Sequence, residues 1–454
     1  MKTDTRDQTT GVIWKQILLF FFPILLGTFF QQLYNTADAM IVGNFLGKEA
    51  LSAVGGTTGT LINLLVSFFI GLSSGASVIV SQYYGAGRPE QVSLAVHTAM
   101  ALAVAGGLIL MAVGLGIAPF ALRWMQTPED VMPYSLTYIR IYFCGVIANL
   151  VYNMGAAILR AVGDSKRPLY FLIASCFVNI VLDLLFVAVF SWGVLGAALA
   201  TILSQLASAL LVMAVLMRTK ESFRVIPKKI RFDRGILGNV FRIGLPTAFQ
   251  SMMHSMSNVI IQACVNTFGT DTVAAWAAYG KIDGLFWMMI SAFGISITTF
   301  AGQNYGAVKY ERIRRGIREC ILMAMTGAVL MSTILYCFGG KIYRLFIDDP
   351  LVLEKGQEIL RFLVPFFFAY VCAEILSGAL RGMGDSVVPM LLTGGGFCVL
   401  RVLWVFAVTP LRPKFQTVLV IYPVSWAVTS LLFVLYYLCF SRERKIMKRA
   451  RRET

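Results

Sequence analysis

Histidine is almost missing from this sequence: His97 and His254 are the only two among 454 residues, and they lie in different halves of the chain. No HExxH or paired-histidine arrangement is present, so the side chains that zinc hydrolases need at fixed spacing are absent, and with the only two histidines in different halves an enzyme is not expected. The eight cysteines stand singly, with no CxxC pair, which argues against a zinc site and against a disulfide framework. No GxxxxGK[ST] loop occurs, so nothing points to nucleotide-driven pumping. Charge is also scarce. Charged residues make up 14% of the chain against 57% hydrophobic residues, a balance that excludes an ordinary soluble protein.

What the chain has instead is long apolar runs. Runs of about 20 residues, each long enough to cross a roughly 30 Å hydrocarbon layer as a helix, recur from Trp14 to Phe440. They predict twelve transmembrane helices near 15–45, 55–84, 94–120, 135–160, 169–190, 195–217, 243–267, 273–305, 320–343, 357–381, 389–409 and 418–440. The first run lacks a small-residue cleavage site, so it is expected to be a retained helix. The formal net charge of +16 is explained by topology rather than by nucleic acid, because the basic residues cluster in alternate breaks between helices. That bias predicts a multi-pass protein of the cell (plasma or inner) membrane with both termini cytoplasmic.

Sliding the chain on itself by 221 residues superposes LRAVGDSKRP (Leu159 to Pro168) on LRGMGDSVVP (Leu380 to Pro389), and QYYGAGRPE (Gln82 to Glu90) on QNYGAVKYE (Gln303 to Glu311). At 223, Pro23 lands on Pro246 and Asn35 on Asn258. Helices 1–6 and 7–12 are therefore two copies of one unit. An even helix count per copy gives both the same orientation, as in secondary transporters built from parallel repeats. The expected organisation is an all-α integral membrane protein of two pseudo-symmetric lobes: 1–217, a basic cytoplasmic connector 218–240, a second lobe 241–440 and a basic tail 441–454.

Polar groups inside the spans are the functional candidates, because a carboxylate in hydrocarbon is costly unless it does something. Helix 5 carries Asn179 and Asp183, four residues apart and so on one face; helix 1 carries Asp38, helix 6 Thr201 and helix 4 Tyr138. At 1.5 Å per residue, Asp38, Asp183 and Thr201 all fall roughly 10 Å below the outer surface. Two close carboxylates cannot easily both stay ionised, so they would share a proton or bind Na⁺ with the nearby amide and hydroxyl oxygens. In the second half Glu374 and His254 are candidates for a substrate or proton site, with Asn153, Tyr370 and Met253 as further candidates and Arg401 as a counter-charge for Glu374. No cofactor is expected, only Na⁺ or H⁺ as coupling ion.

Together the repeated GDS and YGA segments, the two halves and the N-x-x-x-D of helix 5 resemble the multidrug and toxic compound extrusion (MATE) family over essentially the whole chain. The resemblance implies a V-shaped pair of six-helix lobes exporting organic, mostly cationic amphipathic compounds in exchange for Na⁺ or H⁺. It implies a cation-coupling role for Asp38, Asn179, Asp183 and Thr201, with Tyr138 beside them. Where some branches carry second-lobe carboxylates, this sequence has His254 and Tyr370, so a second-lobe cation site of that type is not expected. The partners expected are small organic cations and the lipid bilayer, for a monomer. The alternative is a flippase for lipid-linked oligosaccharide or another lipid-like cargo, disfavoured by the few intramembrane basic residues.

Overall fold

The computed structural model describes residues 7–344 and 349–440; the expected basic tail 441–454 lies outside them. Its helical runs are α1 (Ile13–Gly55), α2 (Thr57–Gly85), α3 (Pro89–Trp124), α4 (Met132–Ala161), α5 (Lys166–Val189), α6 (Gly193–Arg218), α7 (Arg234–Asn266), α8 (Thr270–Gly306), α9 (Tyr310–Tyr343), α10 (Pro350–Phe366 and Phe368–Gly382), α11 (Val387–Leu411) and α12 (Phe415–Phe440). Among the described residues, ten helices are long and apolar enough to cross a membrane, eleven if the two parts of α10, bent by 53°, form one span. The helix α7 is equally long but falls outside that set, since Gln250, His254, Asn258 and Gln262 recur along it.

The repeated GDS segments show why the copies fold alike. After α4, Gly163 takes φ 87°, a left-handed conformation that glycine adopts without steric cost. Its N–H donates to Arg160 O at 2.9 Å, and the next N–H, of Asp164, donates to Leu159 O at 2.9 Å. That pair of bonds closes the helix end. Asp164 Oδ1 then accepts from Arg167 N at 3.2 Å and so starts α5. The second copy repeats each step, with Gly384 at φ 90°, Gly384 N to Arg381 O at 2.9 Å, Asp385 N to Leu380 O at 3.0 Å, and Val388 N to Asp385 Oδ1 at 3.4 Å.

Two compact units divide the chain at Phe21/Phe22, inside α1, and at Ala248/Phe249, inside α7. In the unit holding residues 22–248, α4 packs against α2, α3 and α6, and glycines let the backbones approach: a Cβ at Gly75 would meet Gly244 N at 2.6 Å. His97 fastens the connector to this unit. Its Nδ1 lies 2.6 Å from Ser93 O, so that nitrogen carries the proton, and Nε2 accepts from Ile226 N at 3.0 Å. In the other unit, α8 packs against α9 and both parts of α10. The chain before α1 is fastened there by Arg312, whose Nη1 donates to Gly11 O at 2.8 Å and Nη2 to Thr10 O at 2.9 Å and Gln16 Oε1 at 2.7 Å.

Candidate functional site

Within the 22–248 unit, α1, α4, α5 and α6 bring all five expected coupling residues into one cluster. Asp38 (8% exposed), Tyr138 (6%), Asn179 (0%), Asp183 (0%) and Thr201 (3%) are all buried. The carboxyls of Asp38 and Asp183 lie within interaction range of each other, Asn179 stands beside Asp183, and Tyr138 faces Asp38 and Thr201. Thr201 Oγ1 donates to Ala197 O at 3.0 Å on its own helix, leaving its lone pairs turned toward the cluster's tyrosines. Both oxygens of Asp183, Oδ1 of Asp38 and both amide atoms of Asn179 are buried with no hydrogen bond of normal geometry. Buried polar atoms in that condition are costly. An array of carboxylate, amide and hydroxyl oxygens suits a proton or a hard cation such as Na⁺. Among the described residues no group of three or more His, Cys, Asp and Glu side chains is arranged to hold a metal ion.

Sequence reasoning missed three members. Tyr34, one turn before Asp38, interacts with Asp38, Thr201 and Asp183, and Tyr142, one turn after Tyr138, interacts with Tyr34 and with Gln205 of α6. The four-residue spacings of Tyr34 to Asp38, Tyr138 to Tyr142 and Thr201 to Gln205 were the available signal. Directly after Asp183 the helix widens into π-helical turns over Leu184–Val189, a local irregularity common at functional sites.

The second half does not copy this cluster. Adding 221 to Asn179, Asp183 and Thr201 gives Leu400, Trp404 and Tyr422, and adding 223 to Asp38 gives Ile261. These four belong to one apolar cluster with Val265, Val418 and Ile421.

The other candidates have different surroundings. Tyr370 Oη donates to Glu374 Oε2 at 2.9 Å, one turn along α10. Arg401 does not neutralise Glu374. It is fully buried, donates from Nε to Ser425 Oγ at 3.1 Å and from Nη1 to Asn258 Oδ1 at 3.3 Å, and lies over the Phe397 and Tyr422 rings at 4.8 and 4.5 Å. Arg381, two turns further along α10 itself, is the cation that acts on Glu374. His254 packs against Trp287 and Phe397, with ring centroids at 5.6 and 5.5 Å. Met253 offers its carbonyl to Cys398 Sγ at 2.6 Å. Asn153 belongs to the 22–248 unit, where its Nδ2 donates to Asn149 O at 2.9 Å and Oδ1 at 3.0 Å. A carboxylate overlooked in the sequence, Asp283 of α8, accepts from Trp287 Nε1 at 2.6 Å and from Tyr279 Oη at 3.2 Å.

The MatE family profile matches residues 23–185 and 246–406, one stretch in each copy of the repeat. The probable multidrug resistance protein YoeA of Bacillus subtilis is 29% identical over 453 residues, covering 98% of this chain and 97% of that protein. The probable multidrug resistance protein NorM of Thermotoga maritima is 25% identical, covering 84% and 82%. A solved structure of a multidrug resistance MATE family transporter in an outward-facing conformation shares the fold, with a TM-score of 0.90, 22% identity and coverage of 96% and 97%. A profile match across both halves, on a fold whose described residues form twelve long helical runs, makes this chain a member of the MatE family of multidrug efflux transporters.

Proposed function

We propose that the protein is a secondary-active antiporter that exports organic, mostly cationic amphipathic compounds in exchange for Na⁺ or H⁺, working as a monomer in the cell membrane with both termini cytoplasmic. The observation that carries this reading is the pairing of Asp38 and Asp183 from two helices, buried with unbonded oxygens and with Asn179 equally unbonded beside them. A shared proton or a bound Na⁺ would satisfy those atoms, and occupancy would favour one arrangement of α1 against α5 over another. Tyr34, Tyr138 and Thr201 complete the oxygen set. The π-helical turns after Asp183 give α5 local freedom to respond. A lipid-linked oligosaccharide cargo fits less well, because its pyrophosphate asks for several cations whereas the second unit buries Arg401 under aromatic rings.

The test is efflux of a fluorescent lipophilic cation from proteoliposomes under separately imposed Na⁺ and H⁺ gradients. One of the two gradients is expected to drive wild-type efflux. Asp183→Asn, which keeps the shape and removes the titratable charge, is expected to slow it by about tenfold or more, corresponding to at least ~1.4 kcal/mol of lost driving interaction. Absence of gradient-driven efflux by folded wild type overturns the antiporter reading and moves the lipid-like cargo forward.

A further inference from the structure

Asp283 is a carboxylate in the middle of a membrane helix for which the coupling mechanism has no use. It lies 13 residues from the Thr270 end of α8, about 20 Å along the axis at 1.5 Å per residue. A carboxylate at that depth is retained for a helix contact, for a charge pair or for a ligand. The first role does not fit: its two hydrogen bonds come from Tyr279 and Trp287, both on α8 itself, so the carboxylate ties no helix to another. The second does not fit either. No ion pair within 4.0 Å includes Asp283 among the described residues. Arg401 acts on it only at longer range, since that guanidinium is engaged by Ser425, Asn258 and two rings.

Aromatic surface lies on the same side. The Trp287 ring that holds the carboxylate meets Tyr370 at 4.8 Å and His254 at 5.6 Å, and Phe397 closes the group at 5.5 Å from each of those two. Asp283, Trp287 and His254 are only half-buried, so one edge of the group remains open to a ligand. Four helices, α7, α8, α10 and α11, contribute to it. A carboxylate whose position is set by an indole N–H, bordered by ring faces, is the arrangement that recognises an organic ammonium: the rings attract its diffuse charge and the carboxylate neutralises it.

We infer that Asp283 is the charge anchor of a binding site for aromatic organic cations in the second unit, walled by Trp287, His254 and Tyr370 and separate from the Asp38–Asp183 cluster. The inference rests on the reading of the cargo as cationic. The separation also assigns labour: Asp183 serves the ion and Asp283 the cargo.

The experiment measures equilibrium binding of rhodamine 6G, and of an uncharged dye with the same ring system, to the purified full-length protein in detergent without any gradient. Asp283→Asn is expected to weaken rhodamine 6G binding about tenfold or more, the consequence of losing one charge-assisted contact, and to leave the uncharged dye within about twofold. Equal loss of both dyes in Asp283→Asn would mean a structural role and overturns the inference, as does unchanged rhodamine affinity. Trp287→Phe, which keeps an apolar ring but removes the N–H that holds the carboxylate, gives a second reading if the first variant does not fold. It too should weaken only the cation, and equal affinities for wild type and this variant overturn the inference. Failure of wild type to bind any cation is a different result: it removes the cationic cargo itself and with it the proposed function.

Discussion

Val308 shows how one residue can depart from its repeat. It takes φ 59° at the turn after α8, where the first copy has Gly87 at φ 65°. Both close the preceding helix in the same way, Gly87 N to Tyr84 O and Val308 N to Tyr305 O, each at 3.1 Å. The left-handed conformation costs a non-glycine residue roughly 1–2 kcal/mol, and a β-branched side chain relieves none of that. Exchanging the two residues should therefore have opposite effects. Val308→Gly is expected to stabilise the detergent-purified protein by up to about 1 kcal/mol, after allowing for the entropy glycine adds to the unfolded chain. Gly87→Val is expected to destabilise it by about 1–2 kcal/mol. Thermal unfolding of the two variants beside wild type decides the matter, and a shift of the same sign in both refutes the strain argument.

Helices carry the next level of organisation, and here small residues set the distances. A Cβ at Gly378 of α10 would meet Gly294 O at 2.7 Å, Ile297 Cγ2 at 2.9 Å and Thr298 Oγ1 at 3.0 Å on α8. The same approach lets Thr298 Oγ1 donate to Gly378 O at 3.0 Å. Without a hydrophobic driving force in lipid, such close backbone contact is what holds membrane helices together. Gly378→Leu is predicted to cost about 1–3 kcal/mol or more through overpacking. Gly280→Leu, on an open face of α8 with nothing within 4 Å of a new Cβ, is expected to be nearly neutral. Comparable melting temperatures for the two variants would contradict this packing. The α8–α10 contact also holds Glu374 and Tyr370 in their place beside α8.

At the scale of the molecule, the two copies have kept their joints and exchanged their interiors. The glycines at 163 and 384 and the carboxylates at 164 and 385 do the same work in each. The positions of Asp38, Asn179, Asp183 and Thr201 become Ile261, Leu400, Trp404 and Tyr422 in an apolar cluster. In the other direction, Asn149 and Asn153 of the first copy correspond at 221 to Tyr370 and Glu374 of the second, and the bond one turn apart survives the change of residue types. One unit also depends on chain from before α1, which Arg312 holds through Gly11, Thr10 and Gln16. Arg312→Ala is expected to raise amide exchange over residues 8–16 by about tenfold, as that segment opens locally without global unfolding. Unchanged exchange there would show that Gln303, Asn304 and Lys309, which also bond Gln8 and Thr9, suffice alone.

Read alone, the sequence determined the helical membrane fold and the twofold repeat, and it picked out Asp38, Tyr138, Asn179, Asp183 and Thr201 of the buried cluster but not Tyr34, Tyr142 or Gln205. Each depends on local information: the length of apolar runs, turn chemistry at fixed offsets, and spacing of four along one helix. It did not decide which buried charges face which partners. Arg401 was a reasonable counter-charge for Glu374 by composition, yet packing placed Asn258, Ser425 and two rings around it and left Glu374 to Arg381. Asp283 passed unnoticed because its sequence surroundings, with Lys281 two residues away, look like an ordinary polar interruption. Only the rotation of α8 against α7, α10 and α11 shows that Trp287 and Tyr279 hold it among rings. Helix rotation is set by the sum of many weak side-chain contacts between segments far apart in the chain, and no single stretch of sequence contains that sum.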